Sequence, residues 1–263
     1  MLDQVFLETL MDTAWPAMER EDAGEWVLRA SGGVTQRANS VWPRNVPGTD
    51  GTPELEETAD IARSVRAASD WYRQRRLPLI FQIFDNVPSA GLNAVLDQQR
   101  FTRQSETLIM VRGVEALGAG SSGVEFSETP TEEWLRLWWS VDGRGGDAEL
   151  DVARTILTGC ESLYALVRDD DGVPAAVGRL ALVGGWGGLY CMATSASHRR
   201  RGYGTMVLAA LLDQGAARNL QGFWLLVTAS NHGAQALYSR AGFVERGSYL
   251  YRQAPLRRAP GGC

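Results

Sequence analysis

Two short stretches of the chain carry residue types that can do chemistry together. The first is Arg199-Arg200-Arg201-Gly202-Tyr203-Gly204-Thr205, which follows the apolar run Leu189–Thr194 and precedes a helical pattern. A helix N-terminus offers unpaired N–H groups and a partial positive charge. Glycine at 202 and 204 lets the backbone come close to a ligand, and the arginines add charge-assisted contacts. The result is an anion cradle suited to a pyrophosphate. It is not a dinucleotide fingerprint, because Val207 stands where the third glycine belongs. The bland alternative is a glycine-containing loop with solvated arginines.

The second stretch runs from Asn231 through Ala234 and Tyr238 to Gly242-Phe243. Ala234 and Tyr238 share a helical face, and a phenol there can protonate a departing thiolate. Asn231 stands where a helix N-cap belongs, or where a side-chain amide would meet an extended ligand. Taken alone, Asn231 reads as a cap and Tyr238 as a half-buried aromatic. The order strand, turn, helix, strand, helix is what joins the two stretches.

The elements that must position them follow from periodicity. Thr131 with Glu132 and Glu133 marks a helix start. Strands are expected at Leu163–Val167, Ala175–Leu182, Leu189–Thr194, Phe223–Ala229 and Glu245–Arg252, with a turn at Asp169–Gly172. Helices are expected at Thr205–Asn219 and Gly233–Arg240, the latter stopped by Gly242. Upstream, the pattern predicts a helix over Val5–Met18 and a hairpin of Trp26–Ala30 with Val34–Ser40 around Gly32-Gly33. A helix at Leu55–Arg75, a strand at Leu79–Phe84 and a helix at Gly91–Gln99 come next. Ala94–Arg112 also echoes Ala236–Arg252, with Phe101 aligned to Phe243. Either two homologous halves or two coincidentally similar helix–strand pairs would produce this.

The 263 residues suit two modest domains. The Gly/Ser run within 118–124 is expected to link a domain of 1–117 to one of 125–254, with a tail of 255–263. All 26 basic residues are arginine, which excludes a Walker A lysine and lysine-based catalysis. A net charge of −5 and a pI near 5.2 argue against nucleic-acid binding. Cys160, Cys191 and Cys263 form no CxxC and only two histidines exist, so no metal is expected. No apolar run approaches the roughly 18 residues of a membrane helix, and the N-terminus lacks a basic leader. A cytoplasmic protein is the expectation; oligomeric state is not legible.

The combined pattern over Glu132–Arg252 resembles the GNAT superfamily of N-acetyltransferases. Arg199–Gly204 is similar to that family's Q/R-x-x-G-x-G/A turn, and Asn231, Tyr238 and Gly242-Phe243 fit its later helix and strand. The resemblance implies an α/β (α+β) GNAT fold with a mixed, mostly antiparallel sheet in the C-terminal domain. It implies acetyl-CoA as co-substrate, with its pyrophosphate on the amides of Arg201–Thr205. The backbone of Met192, Ala193 and Thr194 would pair with the pantetheine arm, and Asn231 and Ala234 would touch it. Met192 would supply an oxyanion N–H and Tyr238 the general acid. The strand Leu189–Thr194 holds no acid, so the base is expected to come from Asp147, Glu149 or Glu161, or from water relays. A mobile-looking loop at 143–146 precedes Asp147 and Glu149, which with Trp139 would border the acceptor. Trp138 and Trp139 could line an acceptor pocket, but read first as core residues of a helix. Cys191 raises a covalent route, though a free cysteine is usually a small buried apolar group. The expected acceptor is a small amino-acid-like amine. A protein or peptide amine, or a non-catalytic acyl-CoA sensor, are the alternatives. The N-terminal part, with Gly32–Ser40, is similar to the partner domain of two-domain actinobacterial GNAT proteins and reads as a degenerate copy without an RxxGxG turn.

Overall fold

The computed structural model describes residues 3–44, 55–85, 89–115 and 122–255. Along the chain run helix α1 (Gln4–Ala14), strands β1 (Glu19–Ala23), β2 (Trp26–Ala30) and β3 (Trp42–Pro43), and helix α2 (Leu55–Gln74). Strand β4 (Ile80–Phe84), helix α3 (Ala90–Gln98) and strand β5 (Thr102–Gly113) follow. Then come β6 (Val124–Ser127), α4 (Glu132–Asp142), α5 (Asp147–Thr158), β7 (Ser162–Arg168), β8 (Pro174–Val183) and β9 (Trp186–Thr194). A 3-10 turn at Ala196–His198 leads to α6 (Tyr203–Ala217), β10 (Gly222–Thr228), α7 (His232–Arg240) and β11 (Val244–Gln253).

The described residues pack as two compact units, and neither is one continuous stretch. Residues 3–16 and 108–246 form the first; residues 17–107 and 247–255 form the second. A division at 118–124 therefore does not coincide with the packing. Helix α1 joins the C-terminal elements, and β5 and β11 each change unit along their length. Residues 118–121 of the expected linker and 256–263 of the tail lie outside the described residues.

The reason α1 belongs to the first unit is in its apolar face. Leu7, Leu10, Met11 and Ala14 are buried, and the helix packs on β8 and β9. Arg179 of β8, fully buried, donates through Nη1 to the Ala14 carbonyl at 2.9 Å. The helix stops at Ala14, short of the expected Met18, because Trp15 precedes Pro16 and is pushed out of the helical region.

In the first unit the strand order is β5-β10-β9-β8-β7-β6. The ladders β6–β7, β7–β8 and β8–β9 are antiparallel, and β9 pairs with β10 in parallel. The core is the alternating Leu163, Ala165 and Val167 of β7 closed by Val207, Leu208, Leu211 and Leu212 of α6. Gly178 of β8 makes this packing possible: a Cβ there would lie 2.6 Å from the Met192 sulfur and 2.7 Å from Val207.

The second unit has a three-stranded sheet β1-β2-β3 and the strands β4-β11-β5, over a core that includes Trp26, Tyr72, Phe81, Leu92 and Leu96. The expected hairpin is corrected here. β2 pairs with β1 around Gly24-Glu25, and Val34–Ser40 is a loop rather than a strand. Asn39 replaces the ladder: its Oδ1 accepts from the N–H of Ser31 and Gly33 (2.7 and 2.9 Å) and its Nδ2 donates to Val34 and Thr35 carbonyls.

Candidate active site

The site grows from an irregularity in β9. Tyr190 faces Arg179 of β8 and Ala193 faces Val177, so Cys191 and Met192 together oppose the single residue Gly178. This is a β-bulge, and Cys191 sits in it at φ 54°. On the other edge, β9 pairs with β10 only through Gly187–Leu189 and Phe223–Leu225, although the strands continue to Thr194 and Thr228. Beyond Tyr190 the two strands present each other with unpaired edges. The bulge also sorts the side chains. Met192 joins the α6 core, whereas Cys191 is partly buried as a free thiol. No signal in the sequence marked this bulge, since neither Cys191 nor Met192 is a turn former.

The strand ends in a turn held from below. His198 is buried; its Nδ1 meets Ser195 Oγ at 2.5 Å and its Nε2 meets Asp169 Oδ2 at 2.8 Å. The His198 contact and the N–H groups of Asp171 and Val173 hold the Asp169 carboxyl below its ordinary range. Arg200 (φ 63°) and Gly202 (φ 89°) then turn the chain left-handed into α6. Space is free around Gly202, so the demand for glycine there comes from φ alone. A Cβ on Gly204 would meet Thr194 Oγ1 at 3.4 Å, which sets the start of α6 directly beside the end of β9.

The N–H groups of Thr205 and Met206 bond to the Gly202 carbonyl (2.9 and 3.1 Å). Those of Arg201, Gly202, Tyr203 and Gly204 have no hydrogen-bond partner among the described residues. Thr205, expected to share the cradle through its amide, has that N–H engaged and offers its hydroxyl instead. Arg199, Arg200 and Arg201 are exposed and form no ion pair among the described residues; Arg201 lies over the Tyr203 ring at 5.8 Å. Four free donors, the positive end of a 15-residue helix and three exposed guanidiniums are the groups that could hold an anion here.

Helix α7 supplies the rest. Asn231 caps it, accepting from the Ala234 N–H at 3.1 Å, so its Nδ2 remains available. Ala234 is half-buried against the core. Tyr238 is 7% exposed and packs edge-on to Phe243, yet its hydroxyl makes no hydrogen bond to any described residue. Burial first, and then the charge of Asp142, push its pKa up to about 12.

Asp142 was not singled out from the sequence, where it reads as one polar residue closing an amphipathic helix. It is exposed at the end of α4. The atoms crowded around its carboxyl raise its pKa, while the Trp138 indole N–H, Arg144 and Arg199 pull it down. The acids that the sequence suggests stand at the starts of α5 and β7. Asp147 and Glu149 begin α5, a helix that the periodicity did not announce, directly after the expected loop at 143–146, and Glu149 accepts from the Gly146 N–H at 2.8 Å as a helix cap. Glu161 precedes β7, at the edge facing the end of β8 rather than of β9. Trp139 is half-buried on α4 and donates to the Gly145 carbonyl at 3.4 Å. Trp138 is core, stacked edge-on with Trp15.

The sequence matches the family described as "Probable histone acetyltransferase Rv0428c C-terminal" over residues 6–252. The chain belongs to this acetyltransferase family, within the GNAT superfamily. This GNAT acetyltransferase is 25% identical over 253 residues to the uncharacterized N-acetyltransferase YobR of Bacillus subtilis, covering 94% of this chain and 96% of that one. It is 42% identical over 151 residues to a mycothiol acetyltransferase of Clavibacter michiganensis, covering 54% of this chain and 49% of that one. Its fold is that of a GCN5-related N-acetyltransferase from Kribbella flavida, at a TM-score of 0.70 and 17% identity over 98% and 96% of the two chains. The enzyme is thus an acyltransferase of a class that uses an acyl-CoA as co-substrate. Among the described residues, no cluster of three or more His, Cys, Asp or Glu side chains is arranged to hold a metal ion. No helix among them is long and apolar enough to cross a membrane.

Proposed function

We propose that this enzyme transfers acetyl from acetyl-CoA to the primary amine of a small, amino-acid-like metabolite. The observation that carries the reading is the run of four uncommitted N–H groups at Arg201–Gly204, beside the unpaired edge of β9 and the free hydroxyl of Tyr238. The N–H groups and arginines take the pyrophosphate. The backbone of Met192, Ala193 and Thr194, not paired to β10, takes the pantetheine amides as an added strand, and Asn231 Nδ2 and the small Ala234 flank it.

The amine then attacks the thioester carbonyl directly. Charge developing on the carbonyl oxygen is met by the Met192 N–H. As the C–S bond breaks, the thiolate takes the Tyr238 proton, and the tyrosine recovers one from the acylated nitrogen. A group held near pKa 12 stays protonated at any working pH, as an acid must. The 42% match to a mycothiol acetyltransferase supports a small-molecule acceptor. A protein amine is the second reading, favoured by the histone acetyltransferase description of the matching family.

The test is thiol release from acetyl-CoA against amino acids, aminoglycosides, polyamines and a lysine-rich peptide. Amine-dependent release confined to the small acceptors is expected. Release with the peptide alone would establish the second reading, and absence of acetyl-CoA binding would overturn both.

A further inference from the structure

The turn between β9 and α6 carries exposed or half-buried side chains, with one exception. From Thr194 to Met206, His198 is the sole buried residue, at 7%. Among the described residues, the one backbone–backbone bond from 195–202 to a neighbouring strand runs from the Ser195 N–H to the Ala175 carbonyl at 3.0 Å. The stretch that carries the three arginines is therefore moored to the fold by a single imidazole. Burying a polar ring costs free energy unless its nitrogens are bonded, and here both are.

The mooring point is rigid. Asp169 lies in the turn between β7 and β8. Its Oδ1 accepts from the N–H groups of Asp171 (3.1 Å) and Val173 (2.8 Å), and its Oδ2 meets His198 Nε2 at 2.8 Å. A carboxylate only accepts, so Nε2 carries a proton. Nδ1 is left to Ser195 Oγ at 2.5 Å and Ser197 Oγ at 3.1 Å. The imidazole packs edge-on to the Tyr203 ring, 5.5 Å between centroids, and the Arg201 guanidinium lies 5.8 Å from the centre of that same ring. Contacts thus run in series from the β7–β8 turn through Asp169, His198 and Tyr203 to Arg201.

We propose that His198, clamped by Asp169, is a positioning residue that sets the Tyr203 ring and the Arg201 guanidinium for the diphosphate of the acyl donor, an assignment resting on the acetyl-CoA reading above. It acts through those two side chains and not on the thioester. Ordering Arg201 before the donor arrives reduces the side-chain entropy lost on binding. Removing the ring has a second effect: Asp169 Oδ2 loses its partner, which leaves an uncompensated carboxylate beside a site for anions.

The experiment measures wild type, His198→Ala and His198→Gln with two donors. One is acetyl-CoA; the other is S-acetyl-pantetheine, which keeps the thioester and the amides but has no diphosphate. The acceptor is whichever panel amine supports turnover. With acetyl-CoA, His198→Ala should raise Kd and KM by ~10-fold and leave kcat at saturation within about 2-fold. With S-acetyl-pantetheine, its kcat/KM should stay within about 2-fold of wild type. His198→Gln, whose Nε2 can still donate to Asp169, should recover part of the acetyl-CoA affinity. Arg201→Ala, a change at an exposed side chain, should also weaken acetyl-CoA binding. Combined with His198→Ala it should cost less than the product of the two single effects, because one residue acts through the other. An equal loss with both donors, an acetyl-CoA Kd for His198→Ala within about 2-fold of wild type, or fully multiplicative single effects overturns the assignment while leaving the acetyl-CoA reading intact. Wild type that does not bind acetyl-CoA would instead remove that reading and this one with it.

Discussion

Leu96 in α3 and Tyr238 in α7 hold the same place in two copies of one motif. Each gives its carbonyl to the N–H of the phenylalanine five residues on, Phe101 or Phe243, at 3.0 Å in both. The residue before each phenylalanine has positive φ, 60° at Arg100 and 85° at Gly242. The following strand ends in a buried arginine that caps the other copy's helix. Arg112 of β5 donates to the Ala241 carbonyl at 2.7 Å, and Arg252 of β11 donates to the Phe101 carbonyl at 3.2 Å. The scaffold is thus kept twice and the chemistry once. Where α7 places a phenol, α3 places an aliphatic core residue. Where Asn231 caps α7 through its side chain, Ser89 makes no such cap bond to α3. The repeated capping sustains the fold; the residues that differ are those proposed above to meet the co-substrate.

The largest expected effect breaks the functional half of this comparison. Tyr238→Phe should lower amine-dependent thiol release by ~100-fold or more, with acetyl-CoA binding retained. The same variant has a stability signature. A tyrosine raised from 10.0 to about 12 holds its proton more tightly when folded. Its contribution is full below about pH 10, and is lost as pH climbs through the folded value. Tyr72 is also raised to about 12, but its hydroxyl is satisfied, donating to the Arg29 carbonyl at 2.8 Å. The wild-type denaturant midpoint should therefore fall relative to that of Tyr238→Phe as pH rises from 9 to 12.

The shared half is broken next. Arg252→Met removes bonds to Asn93, Asp97 and the Phe101 carbonyl from a fully buried side chain, and should cost about 2–3 kcal/mol in urea unfolding. Arg112→Met should cost less, since that side chain bonds only backbone carbonyls and burial already holds its pKa down. Asn231→Ala should cost about 1 kcal/mol through the lost cap, and raise the acetyl-CoA KM if Nδ2 also meets the ligand. The smallest effect sharpens the comparison. Arg100→Gly should stabilise by up to about 1 kcal/mol by relieving a left-handed arginine, whereas Gly242→Ala should destabilise by a similar amount. A Cβ at 242 meets nothing within 4 Å, so differential scanning calorimetry of that variant reads backbone strain alone.

Much of the first unit was legible because its signals are local. Gly202 and Gly204 announce a turn that needs positive φ and close approach, and Asn231 announces a cap; each lies within a few residues of what it bonds. The failures share a different cause. Val34–Ser40 has strand-forming ends but no partner strand, because the Asn39 side chain satisfies the surrounding backbone. The glycines at 143, 145 and 146 hid the start of α5. The bulge at Cys191 and Met192 stands opposite Gly178 of β8, where a Cβ would lie 2.6 Å from the Met192 sulfur, a relation no local pattern announces. The echo of Ala94–Arg112 in Ala236–Arg252 was visible as letters. Its meaning, reciprocal capping by the two terminal arginines, needed the packing.

The exchange of β5 and β11 between units has a bearing on how the protein can be divided. A protease site engineered into residues 118–121 would leave two pieces, and each piece would own part of both units. Neither unit could leave with a single piece, so the nicked protein should behave as a complementing pair that elutes and melts as one. An expression fragment beginning near residue 125 would carry every residue assigned here to catalysis, and yet lack α1, the unit-one end of β5 and the capping Arg112.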